Sequence, residues 1–483
     1  MAASTPTLAI VVRDQTALRA SPHASAQQLA LLWQGEVLEV RGERIDHLQV
    51  WDHVRERGGF VDAGRVKKTT LAAVEAPELL AWVRLVRETP GSEALGIGIA
   101  AAYLKAAPAD ALRAADGAEA FDAIGTMADR VAHRASAGSG ASTGAAQGRA
   151  EIALAAHLEA VARHGVAFRS FERDGTMRIC YEGDAFRRVL ASAAADRVQR
   201  ARAAIALTRP DCIDPALPVS ERQSLDLWRA DVLDRVDTAR LPPLWKGRVA
   251  MRRASVWSAL AFERARRGDS AAAQQAARRA VAELADVKHD ELADDDVAAW
   301  HDAAIGVGAS RWAALPALAE ASARTVRIVT QSGEPGQTCV LLVAAKGDAG
   351  APLARRCTYG VVWAASATVN REGNALAIAV QPMAAWRELW LFTRQGKDWS
   401  LQVLPPSAAA PGLGYAEFAG WVPGGRQVLV VRESRNAKGL KRNFEVVRLE
   451  SLSTERQAGD PSILGPFMRW QDPGWKRETV SLR

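Results

Sequence analysis

Residues 8–68, LAIVVRDQTALRASPHASAQQLALLWQGEVLEVRGERIDHLQVWDHVRERGGFVDAGRVKK, decide how the fold of this chain is read. Apolar residues come in short runs, Leu29 with Leu31, Val37 with Val40, Leu48 with Val50 and Trp51 with Val54, each bounded by Gly, Pro, Asn or Asp type breakers. That pattern predicts a small all-β unit. A core of about 60 residues needs large side chains to gain stability. Trp33, Trp51 and Phe60 therefore stand either as core filling or as walls of a ligand groove.

Leu18, Arg19, Ala20, Ser21 and Pro22 occupy the place of a strand and turn, Gly35 and Val37 that of a hairpin, and Gly59, Phe60 and Val61 that of a last strand. In this order and spacing the segment resembles a bacterial SH3-like domain. The resemblance implies a small β-barrel over residues 1–70, a recognition module with no chemistry of its own. It also makes Trp33, Trp51 and Phe60 the groove aromatics, with a protein or peptidoglycan as ligand. His47 and Leu48 stand where the family often has a pair of aromatics.

Outside this segment the chain is ordinary in composition. Of 483 residues, 48% are hydrophobic and 24% charged, as in soluble globular proteins, and the length predicts about three domains. The net charge of +7 comes from arginines scattered through helical patterns rather than from a clustered tract, which argues against nucleic-acid binding. The longest apolar run, residues 94–104, is about half of a bilayer span. No membrane-spanning segment is expected.

From Pro77 the pattern turns helical, with ELLAWVRLVRE ending at the Thr89-Pro90-Gly91 break. ASAGSGASTGAAQG, residues 135–148, reads as a low-complexity exposed loop between helices. Beyond it Ile152, Leu154, Leu158 and Val161 mark an apolar helical face up to a C-capping Gly165. In residues 254–286, Trp257, Leu260, Ala261, Gly268, Ala273, Ala277 and Ala280 fall at the spacings of a tetratricopeptide repeat, which the pair resembles. Arg264 replaces its usual aromatic and Ala285 its terminal proline. One clear copy falls short of the three or so that a solenoid needs.

Past residue 324, the runs VRIVT, CVLLVAA, ALAIAV, ELWLFT, QVLVVRE and FEVVRL predict an antiparallel sheet region, residues 325–483. Residues 363–392 and 415–449 repeat, with turns at Asn370–Gly373 and Val422–Gly425. Both segments resemble blades of a TolB-type or WD-repeat-like β-propeller. About 160 residues supply too few blades for a ring, which implies an incomplete propeller or stacked sheets sealed against the helical domain, residues 71–324. The fold expected is thus multidomain α+β.

The four cysteines have no CxxC spacing, and Cys180 with Cys212 and Cys339 with Cys357 are the expected disulfides, with four unpaired thiols as the alternative. Disulfides and an SH3-like module point to the periplasm or cell surface. MAASTPTLAI shows no signal peptide, so either a targeting segment was trimmed or the protein is cytoplasmic. Nucleophile elbow, HExxH and phosphate-binding loop are absent, and Gly96-Ile97-Gly98 lies inside a helical pattern. Among His289, Asp290, Glu291, Asp294, Asp295, Asp296 and His301, the Asp run reads as the N-terminus of the helix carrying Trp300 rather than a metal site. His157 and His164 share one helix face, and a partner of the helix dipole is the preferred reading over metal binding. No catalytic residue, metal or cofactor is expected. The function expected is that of a non-catalytic interaction or scaffold protein of the bacterial envelope; the alternatives are a peptidoglycan-binding protein and an enzyme of unrecognised chemistry.

Overall fold

The structure is a computed structural model and describes residues 6–137, 145–173, 175–315, 325–408, 412–436 and 439–475. It is a mixed α+β fold in two compact units, residues 1–218 and 219–483. The expected boundary near residue 70 falls inside the first unit, and that at 324 lies outside the described residues.

The first unit opens with strands β1–β7: Leu8–Val11, Thr16–Arg19, Gln28–Leu32, Val37–Arg44, His47–Asp52, Arg57–Asp62 and Val66–Thr69. They form one antiparallel sheet in the order β3-β2-β6-β5-β4-β1-β7. β3 and β7 end it without pairing to each other, so its ladder does not close into a barrel. Alternation puts Leu48, Val50 and Val61 in one core with Leu18, Leu32 and Leu38. β1 is different, because both its faces are buried. Ala9 and Val11 join the sheet core, while Ile10 packs among residues of the helices that follow.

Those helices are α1 (Ala76–Arg87), α2 (Glu93–Ala106), α3 (Ala109–Arg113), α4 (Ala115–Ala137) and α5 (Ala145–Ala162); the rest of the low-complexity segment, residues 138–144, lies outside the described residues. α2 is apolar around most of its circumference and is accordingly a central helix. Its glycines admit close neighbours: a Cβ on Gly96 would stand 2.3 Å from Met127 Sδ, and one on Gly98 would stand 3.0 Å from the Gly35 carbonyl. On α5 the buried face carries His157, Ala160 and Val161, and Ile152 is exposed. Gly165 adopts φ +83 just beyond this helix. The hairpin of β8 (Phe168–Arg173) and β9 (Thr176–Tyr181) precedes α6 (Asp184–Ala191) and α7 (Arg197–Leu207). The disulfide Cys180–Cys212 ties β9 to the turn after α7, closing a separation of 32 residues. In the chain-entropy model such a loop contributes about 3–4 kcal/mol.

The second unit begins with α8 (Val219–Asp234), α9 (Pro243–Arg266), α10 (Ser270–Ala285) and α11 (Asp294–Ser310). α9 and α10 form the hairpin over the tetratricopeptide-like segment. Gly268 makes its turn at φ +80, Asp269 caps α10 by accepting from the Ala272 amide at 3.0 Å, and Leu260, Ala261, Ala273, Ala277 and Ala280 are buried. Arg279 and Arg264 both lie over the Trp257 ring, at 4.4 and 5.6 Å.

Strands β10–β12 (Val326–Ser332, Thr338–Ala344, Ala354–Thr358) make a three-stranded antiparallel sheet, in which Cys339 and Cys357 are joined as the second disulfide. The larger sheet comprises β13 (Val361–Val369), β14 (Ala375–Met383), β15 (Trp386–Gln395), β16 (Asp398–Leu404), β17 (Leu413–Val422), β18 (Gln427–Asn436), β19 (Gly439–Arg448) and β20 (Thr454–Ala458). The repeat seen in the sequence corresponds to two antiparallel meanders, β13–β16 and β17–β20, whose first turns meet: the Gly424 amide donates to Glu372 Oε1 at 2.7 Å. Parallel pairing of β15 with β17, Trp386 beside Gly414 and Arg387 beside Tyr415, merges them into one sheet. Among the described residues the strands close no propeller ring. A short α12 (Gly465–Trp470) packs Phe467 against Phe444 of β19 and Trp475. Among the described residues no helix is long and apolar enough to cross a membrane.

One buried polar cluster fastens the helices of this unit to its sheet. Arg387 of β15 is fully buried, and its Nη1 donates to the Gly308 carbonyl at the end of α11 at 2.8 Å. Its Nη2 lies 3.4 Å from Glu417 of β17, which also pairs with Arg311. Burial pushes both guanidinium groups down from their ordinary value, the charge of Arg311 adds to that at Arg387, and the Tyr415 phenol opposes it at both. Gln381 of β14 donates to Ser310 Oγ at 3.1 Å and so adds a neutral bond at the same helix end.

Removing Glu417 leaves two buried guanidinium groups without their counter-charge, a loss of about 3–5 kcal/mol, and removing Arg387 leaves the buried Gly308 carbonyl without its donor, a loss of about 1–3 kcal/mol. Arg387→Met and Glu417→Gln should therefore each lower the denaturant midpoint of full-length protein sharply, whereas Arg188→Ala, an exposed pair on α6, should change stability by under about 0.5 kcal/mol. Equal effects of all three would refute this role for the cluster.

Candidate functional site

The residues proposed as groove aromatics do not share one environment. Trp33 is 8% exposed, with its ring edge against His157 of α5 at 6.4 Å. The turn that carries it is clamped from within the unit. Asp14 Oδ1 accepts from the Gln34 amide at 3.1 Å and pairs with His157 Nε2 at 2.8 Å, and His164 Nε2 donates to the Gly35 carbonyl at 2.8 Å. Gly35 stands at φ +82, with the Ala94 carbonyl oxygen 2.3 Å from where a Cβ would be. Trp33 is thus an internal contact between sheet and helices.

Trp51 and Phe60 lie on the outward face, away from the sheet's own core. The register pairs Trp51 with Gly58, Gln49 with Phe60 and His47 with Asp62, so these side chains project together from β5 and β6 while Leu48, Val50 and Val61 point inward. Trp51 and Phe60 are diagonal neighbours, about 7–8 Å apart in such a ladder. Gly58 puts no side chain between them, so the two half-buried rings bound a shallow open floor with exposed Gln49 beside it.

A polar rim surrounds Trp51. The Arg41 guanidinium lies over its ring at 4.5 Å from the centroid, and Arg41 Nε donates to Glu39 Oε1 at 3.3 Å. Glu39 Oε2 pairs with His53 Nε2 at 2.6 Å. These bonds from Arg41 and His53 hold the Glu39 carboxyl below its ordinary range. The turn behind the rim is rigid: Asp52 Oδ1 accepts from the Val54 and Arg55 amides at 2.9 and 3.2 Å, and Arg55 grips Glu36 with two bonds at 2.8 and 3.0 Å. The arrangement offers an aromatic face, a carboxylate, an imidazole and a cation that can swing aside, with no nucleophile and base in mutual contact. It can bind.

Sequence reasoning picked out Trp51 and Phe60 but missed Glu39, Arg41 and His53. The bulge in β4 between Val40 and Gly42 places Arg41 beside Trp51, and no spacing rule announces a bulge. Among the other residues weighed, Asp294, Asp295 and Asp296 occupy the first turn of α11, and Asp296 pairs with Arg248 at 2.8 Å. Among the described residues no group of His, Cys, Asp and Glu is placed to hold a metal ion. Comparison with protein-family models, curated proteins and solved structures finds no match to this chain.

The clamp on Trp33 carries a pH signature. Burial lowers the pKa of His164 from its ordinary 6.5, although its bond to Gly35 acts the other way. The unfolded chain therefore binds more protons below 6.5, and stability present above that value is lost as pH falls through the folded pKa. Thermal melts of the full chain should decline from pH 7.5 to pH 5.5, and His164→Gln, which keeps an N–H donor, should flatten that decline. An unchanged slope in the variant would show that other groups are responsible.

Proposed function

We propose that this protein is a non-catalytic interaction protein of the bacterial cell envelope and that it binds its partner through the outward face of β4, β5 and β6. The observation that carries this reading is the pair of half-exposed rings, Trp51 and Phe60, flanking the bare backbone of Gly58 on a face not covered by the sheet's own core. Aromatic side chains with a polar edge are the groups that supply most binding energy in recognition surfaces.

The SH3-like resemblance of residues 8–68 supports recognition as the task. The helical hairpin over 254–286, similar to a tetratricopeptide repeat, and the two meanders, similar to propeller blades, belong to kinds of module that present surfaces. Two disulfides favour an oxidising compartment, the periplasm or cell surface.

A second reading, peptidoglycan as the ligand, is favoured by one feature. Glu39, His53 and Gln49 edge the Trp51 ring with hydrogen-bonding groups, which suits a sugar ring stacked on the indole or a stem peptide beside it.

Full-length protein and a Trp51→Ala, Phe60→Ala variant of unchanged circular dichroism separate these readings. Each is immobilised and exposed to detergent-solubilised envelope proteins, and each is co-sedimented with purified sacculi. A protein retained by the parent and lost with the variant supports the first reading, with an affinity loss of about 30-fold or more for an aromatic hot spot. Sedimentation with sacculi, lost in the variant, selects the second. Retention untouched by the double substitution would remove this face as the binding surface.

A further inference from the structure

Three features of the disulfide in the three-stranded sheet bear on its chemistry. Cys339 of β11 and Cys357 of β12 are directly opposed in the antiparallel ladder, with Cα atoms 3.8 Å apart. Opposed residues in such ladders stand about 4.5–5.5 Å apart, and most disulfides span about 4.4–6.8 Å. Cys180 and Cys212, at 5.8 Å, fall inside that range. Next, the two sulfurs of the cross-strand pair are unequal, as they are in the first unit, where Cys180 is buried and Cys212 half-buried: Cys339 is fully buried, whereas Cys357 is half-buried on β12, which among the described residues pairs only with β11. Lastly, Arg355 Nη2 donates to Cys339 Sγ at 3.4 Å.

Thiol–disulfide exchange is directional: a thiolate attacks the accessible sulfur, and the other sulfur leaves more readily the more stable its thiolate. A neighbouring guanidinium lowers a thiol pKa and stabilises the thiolate. The unequal burial and the Arg355 contact therefore favour one direction at this bond.

We propose that Cys339–Cys357 is an exchangeable disulfide that accepts electrons from a dithiol at Cys357, with Cys339 as the leaving thiolate. A thiolate of the dithiol attacks Cys357 Sγ; a mixed disulfide forms as the Cys339–Cys357 bond breaks, and the electron pair leaves on Cys339 Sγ beside Arg355. The second thiol of the same reductant, deprotonated by solvent, then attacks its own sulfur in the mixed disulfide. The partner departs as its cyclic or intramolecular disulfide, two electrons poorer. Cys357 leaves as a thiolate and takes a proton from solvent, so that β12 is held to β11 by the ladder alone. The Cys180–Cys212 bond stays closed and keeps α6 and α7 fastened to β9.

The experiment uses native full-length protein, dithiothreitol as the dithiol, timed alkylation and peptide mass mapping. Cys339 and Cys357 should become alkylated at least tenfold faster than Cys180 and Cys212, and Arg355→Gln should slow that step roughly threefold while leaving circular dichroism unchanged. To read direction, Cys339→Ser and Cys357→Ser are each incubated with oxidised glutathione; the adduct on Cys357 in the first should form at least tenfold faster than that on Cys339 in the second. Equal rates at the two bonds, the reverse order, reduction only after unfolding, or a faster adduct at Cys339 would each overturn the proposal. The order of reduction is measured on the unaltered chain, so a misfolded variant would not rescue it.

Discussion

The double burial of β1 governs how the first unit is arranged. A strand that sends Ala9 and Val11 into a sheet core and Ile10 into a helical core cannot be lifted from either without exposing apolar area on the other. The helices cover the outward face of the sheet at β1, where Ile10 lies, and leave that face open at β5 and β6. Trp33 and Gly35 fall in the covered part, pinned by α2, by His157 of α5 and by His164 just beyond it, and Trp51 and Phe60 fall in the open part. Three aromatics thus take two different roles, decided by how close each lies to the helices that cover β1.

The second unit uses charge where the first uses apolar contact. Arg387 reaches from β15 to the last carbonyls of α11 and shares Glu417 with Arg311, so the helix end, two strands and a guanidinium pair depend on each other. A cluster of this kind is geometrically exacting, because a desolvated charge tolerates little misplacement. Tyr415 extends it, donating to Glu433 at 2.6 Å, with its phenol pushed up by burial and by that carboxylate. Such a network registers helix against sheet more narrowly than apolar packing could.

Much of this was legible in residue order. Period-two runs located the strands of residues 8–68, the turns at Asn370–Gly373 and Val422–Gly425 marked two equivalent hairpins, and Gly268 marked the break between α9 and α10. Cysteine spacing was enough to expect both disulfides. The Asp14–His157 pair was not legible, since it spans 143 positions and neither residue has a local signature. Nor was the rim around Trp51, which depends on a bulge that shifts Arg41 beside the ring.

By itself the sequence indicated most element types and turns and an expected pairing of the cysteines, because these follow from local periodicity, backbone preference and short separations along the chain, but it gave no sign of the β8–β9 hairpin inside the helical region. Only the tertiary structure decided which part of the outward face of the N-terminal sheet stays open, that Trp33 is internal, that two meanders merge through β15 and β17, and that Arg355 stands beside Cys339. These are contacts between elements whose mutual placement results from burying many faces at once. No local window contains that information.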